Sequence, residues 1–322
     1  MGSKTRSCDG VSTPKGWGES GQAKPRHPNI AVGPPELVDW SAMPVLLAFC
    51  SAVVYGVGDW FGGRASRRQP SMVVAVVGQA VSLVLVVVAV VVMGTATPDS
   101  ATWAWGAFGG IVGALGIAGL YHGFAHGDIS VVAPVSAVVG VVLPVVVGLA
   151  LGERPSTLAF VGIGLAVVAV ALVSGALGTH QHNTPPRIVA LAVGVGACFG
   201  LLFVAFDRTD PDSGLWPLVA ARLASVPLLV VLIAMTRSRV VRDRESLSIA
   251  VAAGVFDMGA NVLYLAAVRA GMLSIVSVVA SLYPASTVAL AFGIDKERLG
   301  KWQAVGLGVA ALALVLVSLS RQ

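Results

Sequence analysis

The sequence predicts an all-α integral membrane protein of ten transmembrane helices, arranged as two inverted five-helix repeats. Three observations carry that prediction. Hydrophobic residues make up 56% of the chain, charged residues only 11%, and the mean hydropathy is +0.85. A soluble domain carries about 25% charge, so this chain has too little polar surface to cover itself in water. The apolar residues are gathered in runs near the ~20 residues a helix needs to cross the hydrocarbon. Finally, part of the second half repeats the first at a constant offset of 144 residues.

The apolar spans lie at 43–62, 72–93, 102–121, 129–151, 157–175, 187–206, 215–235, 248–268, 273–293 and 302–319. Many are rich in valine, a good strand former in water. An open sheet would leave its edge amides unpaired against lipid, so runs of this length are read as helices. The connections are short and hold most of the charge: Arg64, Arg67 and Arg68; Glu153 and Arg154; Asp207 to Asp212; Arg237 to Glu245; Asp295 to Lys301. Residues 1–42 are polar and rich in Gly, Pro and Lys, which reads as a disordered tail and not a signal peptide. The start also misses the myristoylation pattern, because Arg6 stands where Ser or Thr is required. Residues 176–186 read as a linker between a first repeat at 43–175 and a second at 187–319.

The repeat aligns Gly127–Ser174 with Gly271–Ser318 without gaps, with fourteen identities in forty-eight positions. Matching pairs include Ser130 with Ser274, Glu153 with Glu297, Arg154 with Arg298, Gly162 with Gly306 and Gly164 with Gly308. The run Leu172-Val173-Ser174 falls on Leu316-Val317-Ser318, and Tyr55-Gly56 falls on Phe199-Gly200. Self-similarity at a fixed offset marks a duplication. A unit of five spans is odd, so the second copy enters the membrane in the opposite direction. Inverted repeats of this kind are used for alternating access.

Other signals bound the function. Cys8, Cys50 and Cys198 read as free thiols. A net charge of +5 implies no nucleic-acid partner. His180 and His182 are too few ligands for a metal site. Walker, zinc-protease and nucleophile-elbow motifs are absent from the sequence, so no cofactor and no enzyme activity are expected. Without a Walker motif, a proton gradient or simple exchange is the natural energy source. The loops after odd-numbered spans hold eleven Lys/Arg and those after even-numbered spans hold three. The positive-inside rule would put the first set in the cytoplasm and both termini outside.

Ionisable groups within spans cost roughly 2.5–3.5 kcal/mol or more at mid-bilayer and are rare. Apart from Arg187 at a span's edge, Arg222 is the only basic residue within a span; Asp59 and Asp257 are the acidic ones, with Asp207 at a span end. Under the repeat Asp59 aligns with Phe203, Arg222 with Gly78 and Asp257 with Gly113. Residues that break the symmetry are better candidates for a site than residues that keep it. Arg222 can clamp a carboxylate or phosphate, with Asp59 or Asp257 as resting partner and proton carrier. Alternatively it forms a buried ion pair that only fixes packing, and Asp59 sits at headgroup level near Arg64. A lone buried Arg favours an anionic or zwitterionic solute.

Asp257, Asn261 and Tyr264 share one helical face at i, i+4 and i+7, which suits either a cavity lining or interhelical hydrogen bonds. Tyr55, Gln79, Tyr121, Ser281 and Tyr283 are further lining candidates. Six glycines in the third span, from Gly106 to Gly119, allow close helix approach. Pro134, Pro144 and Pro284 fall in the fourth and ninth spans, which are equivalent, and each permits a kink. The run Gly56-Val57-Gly58-Asp59 also spells the GxGD of intramembrane aspartyl proteases, with Asp257 as second carboxylate. The chain order and the Phe256-Asp257 pair argue against it.

The duplicated Glu153-Arg154 and Glu297-Arg298 pairs and the run Ser281-Leu282-Tyr283-Pro284 resemble the drug/metabolite transporter superfamily, in particular its EamA-type family. The opening Tyr55-Gly56-Val57-Gly58-Asp59-Trp60, and Asn261 to Arg269 followed by Gly271-Met272-Leu273-Ser274, are similar to the same family. The resemblance covers the chain from about residue 43. It implies ten helices, export of amino acids, metabolites or drugs, and both termini in the cytoplasm, against the loop charge count. The expected partners are a small-molecule substrate and the lipid bilayer, in a monomer or homodimer of the cell inner membrane. A channel, a lipid flippase and a membrane-bound accessory protein are the alternatives.

Overall fold

The structure, a computed structural model, describes residues 42–126, 129–174, 185–236, 241–296 and 300–320. The tail at 1–41, His180, His182, Arg237, Glu297 and Arg298 lie outside the described residues. The helices are α1 (Met43–Ser66), α2 (Ser71–Met93), α3 (Ser100–His126), α4 (Ile129–Ala150), α5 (Thr157–Val173) and α6 (Pro186–Asp207). They continue with α7 (Trp216–Thr236), α8 (Arg244–Ala270), α9 (Leu273–Ala280), α10 (Tyr283–Gly293) and α11 (Lys301–Leu319). A short 3-10 turn at Pro211–Ser213 precedes α7.

Among the described residues nine segments are long and apolar enough to cross a membrane, and the 17-residue α5 is a further, shorter apolar helix. Their outward faces are hydrocarbon: Val84, Val88, Val91 and Val92 on α2 and Leu312, Val315 and Leu319 on α11 are all exposed. Turn chemistry sets the helix ends. Asp99 Oδ1 accepts from the Thr102 amide at 2.9 Å where α3 begins, and Ser156 Oγ accepts from Ala159 where α5 begins. Those amide bonds, led by Thr102, hold the Asp99 carboxyl below the usual range. Gly94 ends α2 at φ 61, the left-handed conformation glycine adopts freely.

The ninth span is not one helix. It breaks at Ser281-Leu282 into α9 and α10. Pro284 has no amide hydrogen and sits in the first turn of α10, where none is needed. Pro134 and Pro144 stay inside a continuous α4, so proline alone does not set the break.

The packing follows the repeat. Offset by 144 residues, α3 falls on α8 end for end. α1 packs on α8 as α6 packs on α3, α1 on α9 and α10 as α6 on α4, and α2 on α8 as α7 on α3. The pairs α5–α11 and α2–α7 join the two repeats and map onto themselves. Close approaches repeat as well. A Cβ on Gly162 would lie 2.6 Å from Val317, and one on its equivalent Gly306 would lie 2.9 Å from Val173, the equivalent of Val317. The two five-helix units thus repeat one set of packing contacts, as an inverted duplication requires.

The tightest backbone contacts are at Gly110, whose added Cβ would fall 2.0 Å from the Ala221 carbonyl, and at its equivalent Gly254, 2.5 Å from the Gly78 carbonyl. With no hydrophobic drive between helices in lipid, such contacts supply much of the association. Gly110→Ala should therefore destabilise by about 1–3 kcal/mol through overpacking, read as thermal unfolding in detergent. Gly164→Ala, which meets open space, should be neutral.

Candidate functional site

Three helices meet at the centre of the bundle around one charge pair. Asp257 lies at the midpoint of α8, and Arg222 lies on α7. Arg222 Nη2 donates to Asp257 Oδ2 at 2.6 Å, with the arginine side chain 5% exposed and the aspartate 34%. The contact of Gly254 with Gly78 draws α2 against α8 one turn away. That closeness lets the Ser82 hydroxyl lie 2.9 Å from the Gly254 carbonyl and 3.2 Å from Asp257 Oδ2. Asn261 Nδ2 donates to the Asp257 carbonyl at 2.8 Å and lies 3.3 Å from Oδ1. One turn along, Ser225 of α7 donates to Gln79 Oε1 of α2 at 2.8 Å. The result is a polar belt across α2, α7 and α8 in which both Asp257 oxygens are engaged. Arg222 is less satisfied: its Nε is buried without a partner among the described residues.

A second group lies beside this belt. Tyr55 and Tyr283 place their ring centroids 6.0 Å apart across α1 and α10. Asp59 follows Tyr55 by one turn and is exposed. It lies within the electrostatic reach of Asp257 and of Tyr283. The face of α1 that carries it also carries the buried Ala48 and Ala52, and it is turned about 120° from the lipid-facing Leu46, Phe49 and Val53. Asp59 is therefore open to a recess within the bundle. Beyond it, Asp295 accepts from Trp60 Nε1 at 2.7 Å and from Arg64 at 2.5 Å, tying the end of α1 to the end of α10.

The other sequence candidates divide. Tyr264 is fully buried: it stacks on Phe203 at 4.4 Å, its hydroxyl lies 2.9 Å from Ser277 Oγ, and it donates to the Phe203 carbonyl. Asn261 is also buried, so of the expected shared face only Asp257 reaches an open surface in this conformation. Ser281 is buried at the end of α9. The Tyr121 side chain lies outside the described residues. Asp207 pairs with its neighbour Arg208 at 2.7 Å at the end of α6.

Sequence reasoning missed the role of Glu153. Its two carboxylate oxygens accept from the Leu273 and Ser274 amides at 2.6 and 2.9 Å. The Glu-Arg pair after α4 thus caps α9 of the other repeat, where unsatisfied amides and the helix dipole favour negative charge. The duplication marked Glu153, but nothing local revealed a partner 120 residues away.

The two halves differ where the symmetry breaks. Phe203, the equivalent of Asp59, is buried against Tyr264. In α4, Gly140, Val141, Pro144, Val145 and Gly148 are buried, whereas α10, their counterpart, has no buried residue. Phe292 is 53% exposed where its equivalent Gly148 is covered. The half of α4 that leads to Glu153 is thus covered, while its counterpart α10, which leads to Asp295, is less covered.

Comparison with known proteins bears on this arrangement. The profile of the EamA-like transporter family matches residues 42–175 and again 186–319. The chain belongs to the EamA-like transporter family. Both ends of the two matches are offset by 144 residues, the offset of the repeat. As an EamA-like protein it is a multi-pass membrane transporter of the drug/metabolite type. A solved crystal structure superposes with a TM-score of 0.70 over 85% of this chain and 95% of the other, at 14% identity, a likeness of fold. No curated protein matches. The aspartyl-protease reading gains no support, because Asp257 is committed to Arg222 instead of sharing a proton with Asp59.

Leaving one partner of a buried ion pair alone costs about 3–5 kcal/mol, while replacing both is often neutral. Asp257→Asn should thus lower the thermal unfolding midpoint sharply, and Arg222→Leu combined with Asp257→Asn should recover most of the loss.

Proposed function

We propose that this EamA-like protein is a secondary transporter that exports small metabolites or drug-like solutes by alternating access, coupled to protons, in the cell inner membrane. The observation that carries the reading is the Arg222–Asp257 pair at mid-bundle, with the exposed Asp59 toward one face and the stacked Phe203 and Tyr264 toward the other. Both repeats can in principle adopt either packing, because they share one set of helix contacts. Closing α10 as the matching half of α4 is closed, while opening α4 in turn, exchanges the open face.

Arg222 supplies the solute contact. Its Nε has no acceptor among the described residues, and an acceptor oxygen on a solute can take that edge. Such a contact weakens the hold on Asp257, whose carboxylate then becomes the proton carrier. The lone-arginine argument for an anionic solute is weaker than the sequence implied, because Asp257 already balances the guanidinium. The family orientation, with both termini cytoplasmic, places the open face outside; the loop charge count places it inside.

Arg222→Lys keeps the charge but loses the planar fork. In proteoliposomes this variant should lose at least about 90% of solute flux, since bidentate geometry cannot be met by a point charge, with its thermal midpoint near wild type. Wild-type flux in the variant carrying both Arg222→Leu and Asp257→Asn would exclude the pair from transport.

A further inference from the structure

We propose that Asp59, Tyr55 and Tyr283 form a subsite for the positively charged group of an organic cation or amine. The inference deepens the transporter reading and rests on it. The charge balance of the recess is the starting point. Arg222 is neutralised by Asp257 at 2.6 Å, and Ser82 and Asn261 satisfy the remaining capacity of that carboxylate. Asp59 has no hydrogen-bond partner among the described residues and is exposed. Arg64, five residues along α1, is bound to Asp295 at 2.5 Å and lies over the Trp60 ring. Among the described residues Asp59 is thus a carboxyl without an ion-pair partner, in a span, on a face turned from the lipid-facing side of α1.

Its surroundings suit one kind of ligand. An unpaired carboxylate in a span is costly unless water or a counter-ion reaches it. Tyr55 stands one turn from Asp59 on the same face of α1, and Tyr283 faces Tyr55 from the start of α10. Two aromatic faces beside a free carboxylate provide both halves of ammonium recognition: ion pairing with Asp59 and attraction to the ring quadrupoles. The equivalent position in the other repeat shows what happens without the charge, where Phe203 closes on Tyr264 and the recess is filled. α10 carries Tyr283, so binding a cation there would draw α10 toward α1, along the contacts Ser286 and Thr287 already make with Ala52 and Gly56.

The test is isothermal titration of the purified full chain in detergent with three probes. These are choline, the uncharged isostere in which carbon replaces its quaternary nitrogen, and acetate. Choline should bind saturably, and the isostere and acetate at least about tenfold more weakly, the span of a desolvated cation–π contact with an ion pair. Asp59→Asn should abolish the preference for choline over its isostere, and Asp59→Glu should retain it. Tyr283→Leu should weaken choline without changing the isostere. Equal affinity for choline and the isostere, preference for acetate, or unchanged choline binding in Asp59→Asn would each overturn the subsite. So would loss of only the pH dependence of flux in Asp59→Asn with choline affinity intact, which would make Asp59 a proton site alone. Because binding is read without transport, persistence of Arg222-dependent flux alongside any of these results would sink the subsite while leaving the transporter reading standing.

Discussion

A charge inside the hydrocarbon must find its opposite. That constraint organises the centre of this molecule. Arg222 would be prohibitively placed on α7 without Asp257 on α8, and bringing them together requires α2, α7 and α8 to converge. Glycine makes that convergence possible: Gly78 against Gly254 sets the depth at which Ser82 and Asp257 meet. Repeat equivalents of the two charged residues are Gly78 and Gly113, so the other repeat carries no charge at these positions. Duplication produced a symmetric scaffold, and a few substitutions within it produced one polar centre.

The same division explains the asymmetry between the two membrane faces. Helix pairs and close glycine contacts repeat at an offset of 144 residues. What does not repeat is the side chain at each mouth. Phe203 and Tyr264 stack toward one, while Asp59 is exposed toward the other. Glu153 reinforces the closed mouth by capping α9.

Much of the fold was legible because lipid enforces it. Span length follows from bilayer thickness, and the odd number of spans per repeat dictates inversion. The break at Ser281-Leu282 was not legible, since the run from Leu273 to Gly293 stays apolar throughout and proline is tolerated inside α4. Of the site, the three intramembrane charges were visible as exceptions to composition, but not which Asp would take Arg222. Asp59 and Asp257 differ in what surrounds them, and that depends on which helices touch. Tyr264 illustrates the same limit: periodicity placed it on the face of Asp257, and the packing of Phe203 and Ser277 buried it. Glu153 was flagged by duplication alone, its partner lying across the repeat boundary.

The central claim is that two equivalent half-helices are packed differently, leaving one mouth open. Ala289 on α10 and Val145 on α4 occupy equivalent positions; the first is exposed and the second is buried. In a chain with Cys8, Cys50 and Cys198 replaced by serine, Ala289→Cys and Val145→Cys can be reacted separately with a water-soluble, membrane-impermeant maleimide in sealed vesicles of known orientation. The account predicts rapid labelling of the Ala289→Cys variant from the membrane face that bears Arg64, and protection of the Val145→Cys variant from both faces. Equal labelling of the two, or no aqueous access to position 289 from either face, would contradict it.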